Sequence, residues 1–126
     1  MWFGSCVGES SYRKEGILSP EAFDLENTFG LDLSCDKFDL YRFHNTSTSH
    51  AMTLCGVHIE NNKPTRWKVQ NSWGNEVGFD GIFVMSDKWF DEYVYEVVVN
   101  KKYLSKEVID SLSKETIILK YNDSIQ

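Results

Sequence analysis

No run of apolar residues in this chain approaches the roughly 20 that a membrane-spanning helix needs. Met1-Trp2-Phe3-Gly4 lacks the basic and apolar regions of a signal peptide. No membrane partner is therefore expected. Cysteine is scarce: three residues, an odd number, at no disulfide-framework spacing. That excludes a disulfide-stapled secreted domain and fits a reducing, cytoplasmic setting. Positive charge is outnumbered, with 13 basic against 19 acidic residues and a net charge of −6, mixed in sign along the chain. Such a balance argues against nucleic acid as a partner. There is no phosphate-binding glycine loop, internal repeat, low-complexity tract or linker. Asn45-Thr46-Ser47 and Asn122-Asp123-Ser124 match the glycosylation sequon. Without an export signal both read as chance.

What is present is enough for a core. The 126 residues are 41% hydrophobic and 14% aromatic, which fits one domain or part of one. Trp2 to Val7 reads as a short buried strand ended by Gly8. Chains seldom begin in mid-core, so the start is expected to be a truncation. Glu9 to Gly16 reads as a polar loop. Ser19-Pro20-Glu21 opens a short helix that Gly30 stops, with Phe23 and Phe29 as its core contacts. A second short helix is expected from Asp36 to Phe43, with Phe38 and Tyr41 on one face. Gly81 to Met85 is a strand, and Ser86-Asp87 caps a helix over Lys88 to Glu92. Tyr93 to Val99 is a β-branched strand. Ser105 opens a last helix to about Lys114 with Val108, Ile109 and Leu112 as its stripe, and Thr116 to Leu119 is extended. Helices at the edges and antiparallel strands in the middle make the class α+β.

The stretch Ser49-His50-Ala51-Met52-Thr53-Leu54-Cys55-Gly56-Val57 organises the rest. With Gln70-Asn71-Ser72-Trp73-Gly74 and the turn Glu60-Asn61-Asn62-Lys63-Pro64 it reads as a hairpin, with strands over about 50–59 and 65–71. A pairing centred between Glu60 and Asn61 sets His50 opposite Asn71, within reach of an imidazole–amide hydrogen bond. A one-residue slip would put them on opposite faces. Trp67, Val69 and Asn71 share one face of the second strand; Arg66, Lys68 and Gln70 share the other. The first strand is apolar on both faces and should be the more central.

A histidine beside an asparagine is the orienting half of a Cys-His-Asn arrangement. The amide oxygen accepts from one ring N–H and the other nitrogen faces a nucleophile. A thiol suits such a base, because a neighbouring imidazolium lowers its pKa. Trp73 is placed to shield the His–Asn hydrogen bond. Spacing alone does not distinguish this from a structural histidine at a strand end.

At these residues the match becomes specific. Ser49-His50-Ala51-Met52, Gln70-Asn71-Ser72-Trp73-Gly74 and Gly81-Ile82-Phe83-Val84-Met85-Ser86-Asp87 resemble the papain superfamily of cysteine peptidases. The block Asp87-Lys88-Trp89-Phe90-Asp91-Glu92-Tyr93-Val94-Tyr95-Glu96-Val97-Val98-Val99 narrows this to the bleomycin hydrolase / aminopeptidase C type. Trp2-Phe3-Gly4, Val7-Gly8 and Ile117-Ile118-Leu119 resemble the same branch. The likeness covers essentially the whole chain. It implies that residues 1–126 are the C-terminal, β-rich, His/Asn-bearing part of a papain-like peptidase domain, without its cysteine-bearing N-terminal part. It implies a cytosolic, broad-specificity aminopeptidase acting on peptide substrates, hexameric in its full-length form and without a cofactor. On that pattern His50 is general base and acid, Asn71 orients it, and Trp73 covers their bond.

Two departures stand out. The family's nucleophile opens a helix far N-terminal to the histidine, in a Cys-Trp context with an oxyanion-hole glutamine, and no such motif occurs here. Cys6, Cys35 and Cys55 read as buried or incidental thiols, with Cys55 pointing to the face opposite His50. The chain alone is therefore expected to be inactive. Secondly, the family's tail lies in the cleft and its carboxylate holds the substrate amine. Here Tyr121 to Gln126 replaces a Pro- and Trp-containing ending and is a few residues short. The alternative is a non-catalytic remnant, or a split-enzyme subunit, that binds full-length or N-terminal partner chains. His44 and His58 read as surface residues. Cys55 and His58 offer no second ligand pair, so no metal site is expected. Asp91, Glu92 and Glu96 read as a solvated acidic face.

Overall fold

The computed structural model describes residues 1–32, 36–43, 46–116 and 118. Cys35, His44, the first sequon's Asn45 and the tail from Tyr121 to Gln126 lie outside the described residues, as do Ile117 and Leu119 of the extended segment expected over 116–119. Strands β1 (Trp2–Ser5), β2 (Ser11–Tyr12), β3 (Ile17–Leu18), β4 (His50–Glu60), β5 (Lys63–Gln70), β6 (Ile82–Ser86) and β7 (Val94–Val98) form one sheet in the order β2-β3-β6-β5-β4-β1-β7. It curls as a half-barrel edged, among the described residues, by four short helices. These are α1 (Leu25–Phe29), α2 (Lys37–Arg42), α3 (Asp87–Tyr93) and α4 (Lys106–Leu112).

The α+β reading holds, but the sheet is mixed: β3 runs parallel to β6 while its other described pairings are antiparallel. The segment expected to be only a polar loop contains β2, which pairs with β3. Each is two residues long, too short to show a period-2 pattern in sequence.

Alternation sorts the two faces. Phe3, Met52, Leu54, Val69, Phe83 and Met85 point inward and, with Val7, Leu18, Trp89 and Val94, form the core. In β5, Val69 is buried and Trp67 half-buried, while Arg66, Lys68 and Gln70 are exposed, as the alternation predicts. The outer face of β4 is open: Ala51 and Cys55 are exposed, despite their apolar character. Trp2 likewise lies open on that face, opposite Thr53 and Val98. Apolar composition gave β4 two candidate faces, and within this chain only one is covered.

The helix starts follow the expected chemistry. Asp36, Ser86 and Ser105 each accept a backbone N–H three residues on, from Asp39, Trp89 and Val108. After Ser19 the structure departs from expectation. Pro20–Ala22 is a 3₁₀ turn and Asp24 adopts φ 42°, so the single helix expected up to Gly30 is broken before α1. Phe23 and Phe29 are exposed and take no part in the core. The left-handed Asp24 lies between them, so the two rings do not share one helix face. Phe38 and Tyr41 of α2 are also half open, with Tyr41 stacked on Tyr95 at 6.3 Å. The stripe of α4 stays largely exposed. Only α3 docks fully, laying Trp89 against β5 and β6. Asp91 and Glu96 are exposed. Burial lowers the Lys37 pKa, with the Asp91 charge acting in the opposite direction. Among the described residues no helix is long and apolar enough to cross a membrane.

Candidate active site

β4 begins at His50, directly opposite Ser5 of β1. Around it the backbone is pinned from both sides. Ser49 donates its N–H to the Ser5 carbonyl at 2.9 Å. The Ser49 hydroxyl accepts from the Val7 N–H at 3.2 Å and donates to the same Ser5 carbonyl at 3.3 Å. Ser5 itself is fully buried, and its hydroxyl reaches the His50 carbonyl at 3.5 Å. The imidazole thus springs from a fixed strand end.

Asn71 follows the last residue of β5. Its N–H donates to the Gly81 carbonyl at 3.0 Å, so the loop over 72–80 leaves and returns at one point. Gly74, Gly78 and Asp80 in that loop, and Gly81 just after it, have positive φ, at 89°, 67°, 51° and 77°.

The hairpin register differs from the one expected. Asn61 and Asn62 form the turn, with φ 50° and 61°, and Glu60 pairs with Lys63. Two bulges follow, one adding Cys55 to β4 and one adding Thr65 to β5, and their shifts cancel. Thr53 faces Gln70. Continuing that pairing sets Asn71 level with Met52, not His50. His50 lies two residues further along the same face. The two side chains meet on the diagonal, which side chains of this length can span.

They do meet. His50 Nε2 lies 2.8 Å from Asn71 Oδ1. The identity of that amide atom is fixed by a second contact, because the Ser72 backbone N–H donates to it at 2.7 Å. An N–H needs an acceptor, so the atom is the oxygen. The imidazole must then be the donor, with its proton on Nε2. Nδ1 is left as the basic nitrogen, and no described residue hydrogen-bonds it. Asn71 Nδ2 is buried without a partner among the described residues. It marks a cost accepted to aim the oxygen.

Trp73 covers this pair. Its ring stacks on the His50 imidazole with centroids 4.6 Å apart and planes 28° apart. Phe83, fully buried, meets the indole edge-on at 5.9 Å. The Arg13 guanidinium lies over the same indole, 4.8 Å from its centroid. Sequence reasoning missed Arg13, because its segment reads as a polar loop and no local pattern ties it to Trp73.

The other candidates fall elsewhere. No thiol among the described residues hydrogen-bonds His50. Cys55 is exposed, with its sulfur 3.5 Å from the Thr53 carbonyl and 3.9 Å from Gln70 Oε1, on the face turned away. Cys6 is a free, part-exposed thiol just past β1, so neither described cysteine is buried and the incidental reading is the one that fits them. His58 sits at the far end of the hairpin on Thr65, 2.9 Å away, with Glu60 at 3.8 Å. Among the described residues no group of three or more His, Cys, Asp or Glu is placed to hold a metal.

The arrangement has relatives. Aminopeptidase C of Listeria innocua is 47% identical over 120 residues, which are 95% of this chain and 27% of that protein. Aminopeptidase G of Lactobacillus delbrueckii is 46% identical over 125 residues, 99% of this chain and 29% of that protein. The crystal structure of PepW from Lactobacillus rhamnosis superposes with a TM-score of 0.82 at 46% identity, covering 88% of this chain and 25% of that one. The chain therefore spans about a quarter of the length of these relatives. The family model for the Peptidase C1-like family matches residues 1–126. With that match over its whole length, the chain belongs to the Peptidase C1-like family.

Proposed function

We propose that residues 1–126 are the C-terminal, His/Asn-bearing part of a papain-like peptidase domain, and that the domain is a cytoplasmic cysteine aminopeptidase of the bleomycin hydrolase type. Its thiol comes from a segment outside this chain. The observation that carries the reading is the 2.8 Å contact between His50 Nε2 and Asn71 Oδ1, which leaves Nδ1 free and basic. In the reaction, His50 Nδ1 takes the thiol proton and the thiolate attacks the scissile carbonyl of a peptide. The imidazolium then gives that proton to the departing amine. Water, activated by the same nitrogen, frees the acyl group and restores the thiol. Asn71 holds the ring in the orientation this needs, and Trp73 keeps water from competing for their bond. The relatives named aminopeptidase C and G support the substrate class.

On this reading the isolated chain has no turnover. Incubation with aminoacyl fluorogenic substrates should release no fluorophore above the buffer rate. Turnover by the chain alone that depends on Cys6, Cys35 or Cys55 would contradict it.

A second reading is a subunit or remnant that binds full-length or N-terminal partner chains, including the hexamer that the resemblance implies for the complete enzyme. The exposed Trp2, Phe79 and Val98, at 59%, 83% and 72%, favour a partner surface. Co-expression with a related full-length aminopeptidase tests it: co-purification supports it, and clean separation of the two chains rejects it.

A further inference from the structure

The Trp73 indole is shared between two groups. One is the His50 imidazole, stacked at 4.6 Å. The other is the Arg13 guanidinium, 4.8 Å from the ring centroid. Arg13 is exposed, and no ion pair among the described residues engages its guanidinium. Its cation therefore has the indole as its one described partner, a geometry in which a guanidinium is attracted to the ring face.

The backbone delivers Arg13 to that place. It opens the turn between β2 and β3, and its carbonyl accepts from the Gly16 N–H at 3.2 Å. The next carbonyl, of Lys14, accepts from the Gly78 N–H at 3.1 Å, joining this turn to the loop that carries Trp73. Gly16 and Gly78 pack so closely that a Cβ on Gly16 would lie 2.7 Å from Gly78 Cα. Both have positive φ, at 70° and 67°. Two glycines thus dock the turn on the Trp73 loop, and the docking sets Arg13 over the ring.

We propose that Arg13 is a positioning residue that holds the Trp73 indole on the His50 imidazole and so keeps the His50–Asn71 hydrogen bond covered. Its consequence for turnover rests on the reading of His50 as the base. Its structural content does not, and the two fail separately.

The test is solution NMR of residues 1–126, unmodified and as Arg13→Gln and Arg13→Lys, with Arg66→Gln as a surface control. Two signals are read: the upfield ring-current displacement of the His50 carbon-bound protons, and solvent exchange of the His50 Nε2–H. Arg13→Gln should reduce the displacement and speed the exchange by about two- to fivefold, the range expected for one exposed cation–π contact. Arg13→Lys should restore part of both, and Arg66→Gln should change neither. The Trp89 indole N–H, bonded to the Glu9 carbonyl at 3.0 Å in the buried core, reports general loosening. An equal change at Trp89 and His50 would mark a merely structural role and overturn the proposal. Unchanged His50 signals in Arg13→Gln would overturn it as well. In that case the assigned role of His50 would still stand, since turnover reads it.

Discussion

His50→Ala should lower thiol-dependent turnover by about 10²- to 10⁴-fold, the usual contribution of a positioned general base. The measurement uses a chimera in which this chain replaces the aligned segment of the Listeria innocua aminopeptidase C. Identity of 47% over 120 residues makes the graft conservative. The size of the effect follows from chemistry, since without the imidazole nothing takes the thiol proton or returns it to the leaving amine. Asn71→Ala should cost less, about 10- to 100-fold. It removes one hydrogen bond to a ring that becomes charged during the reaction, worth roughly 1.5–3 kcal/mol, while the base remains. The order His50 above Asn71 is the discriminating result. Small and equal effects would reject both roles.

Trp89→Ala should destabilise the chain by about 3–5 kcal/mol, a large part of the 5–15 kcal/mol typical of a domain. Trp89 is the fully buried side chain of α3, which also meets β5 through Phe90, stacked on Trp67 at 4.9 Å, and Asp87, which accepts from the Trp67 indole N–H at 2.8 Å. It packs on Tyr93 at 5.3 Å, and its indole N–H ties the Glu9 carbonyl at 3.0 Å. Truncation leaves a cavity and an unpaired carbonyl together. Trp89→Phe should lose less, because it refills most of the volume and forfeits only the hydrogen bond. Urea unfolding of the chain gives both values. A loss below about 1 kcal/mol for the alanine variant would mean that α3 is not held by this residue.

The hairpin and its faces were legible because period-2 alternation in Trp67, Val69 and Asn71 is written locally. So were the helix starts at Asp36, Ser86 and Ser105, where one side chain serves one backbone N–H. The meeting of His50 with Asn71 was anticipated for a reason that was only partly right. The Asn61-Asn62 turn shifts the register, and the bulges at Cys55 and Thr65 leave no local signature in composition. Side-chain reach on the diagonal rescued the inference, along with the same-face parity that a two-residue offset preserves. The parallel β3–β6 pairing was invisible, since two-residue strands carry no period. Phe23 and Phe29 misled because apolar character states a preference for burial without saying which surface provides it. Arg13 lay beyond reach for a related reason. Its placement depends on Gly16 packing against Gly78, a contact between distant segments.

The reading turns on whether His50 activates a thiol, and the pH dependence of that thiol's alkylation tests this directly. In the same chimera, iodoacetamide is added over pH 4–10 and the rate at the nucleophilic cysteine is followed. A thiolate paired with an imidazolium stays reactive far below the ordinary thiol pKa of about 8.5. The intact chimera should therefore alkylate rapidly at about pH 5–6. His50→Ala should return the midpoint to near 8.5. The same midpoint with and without His50 would contradict the account.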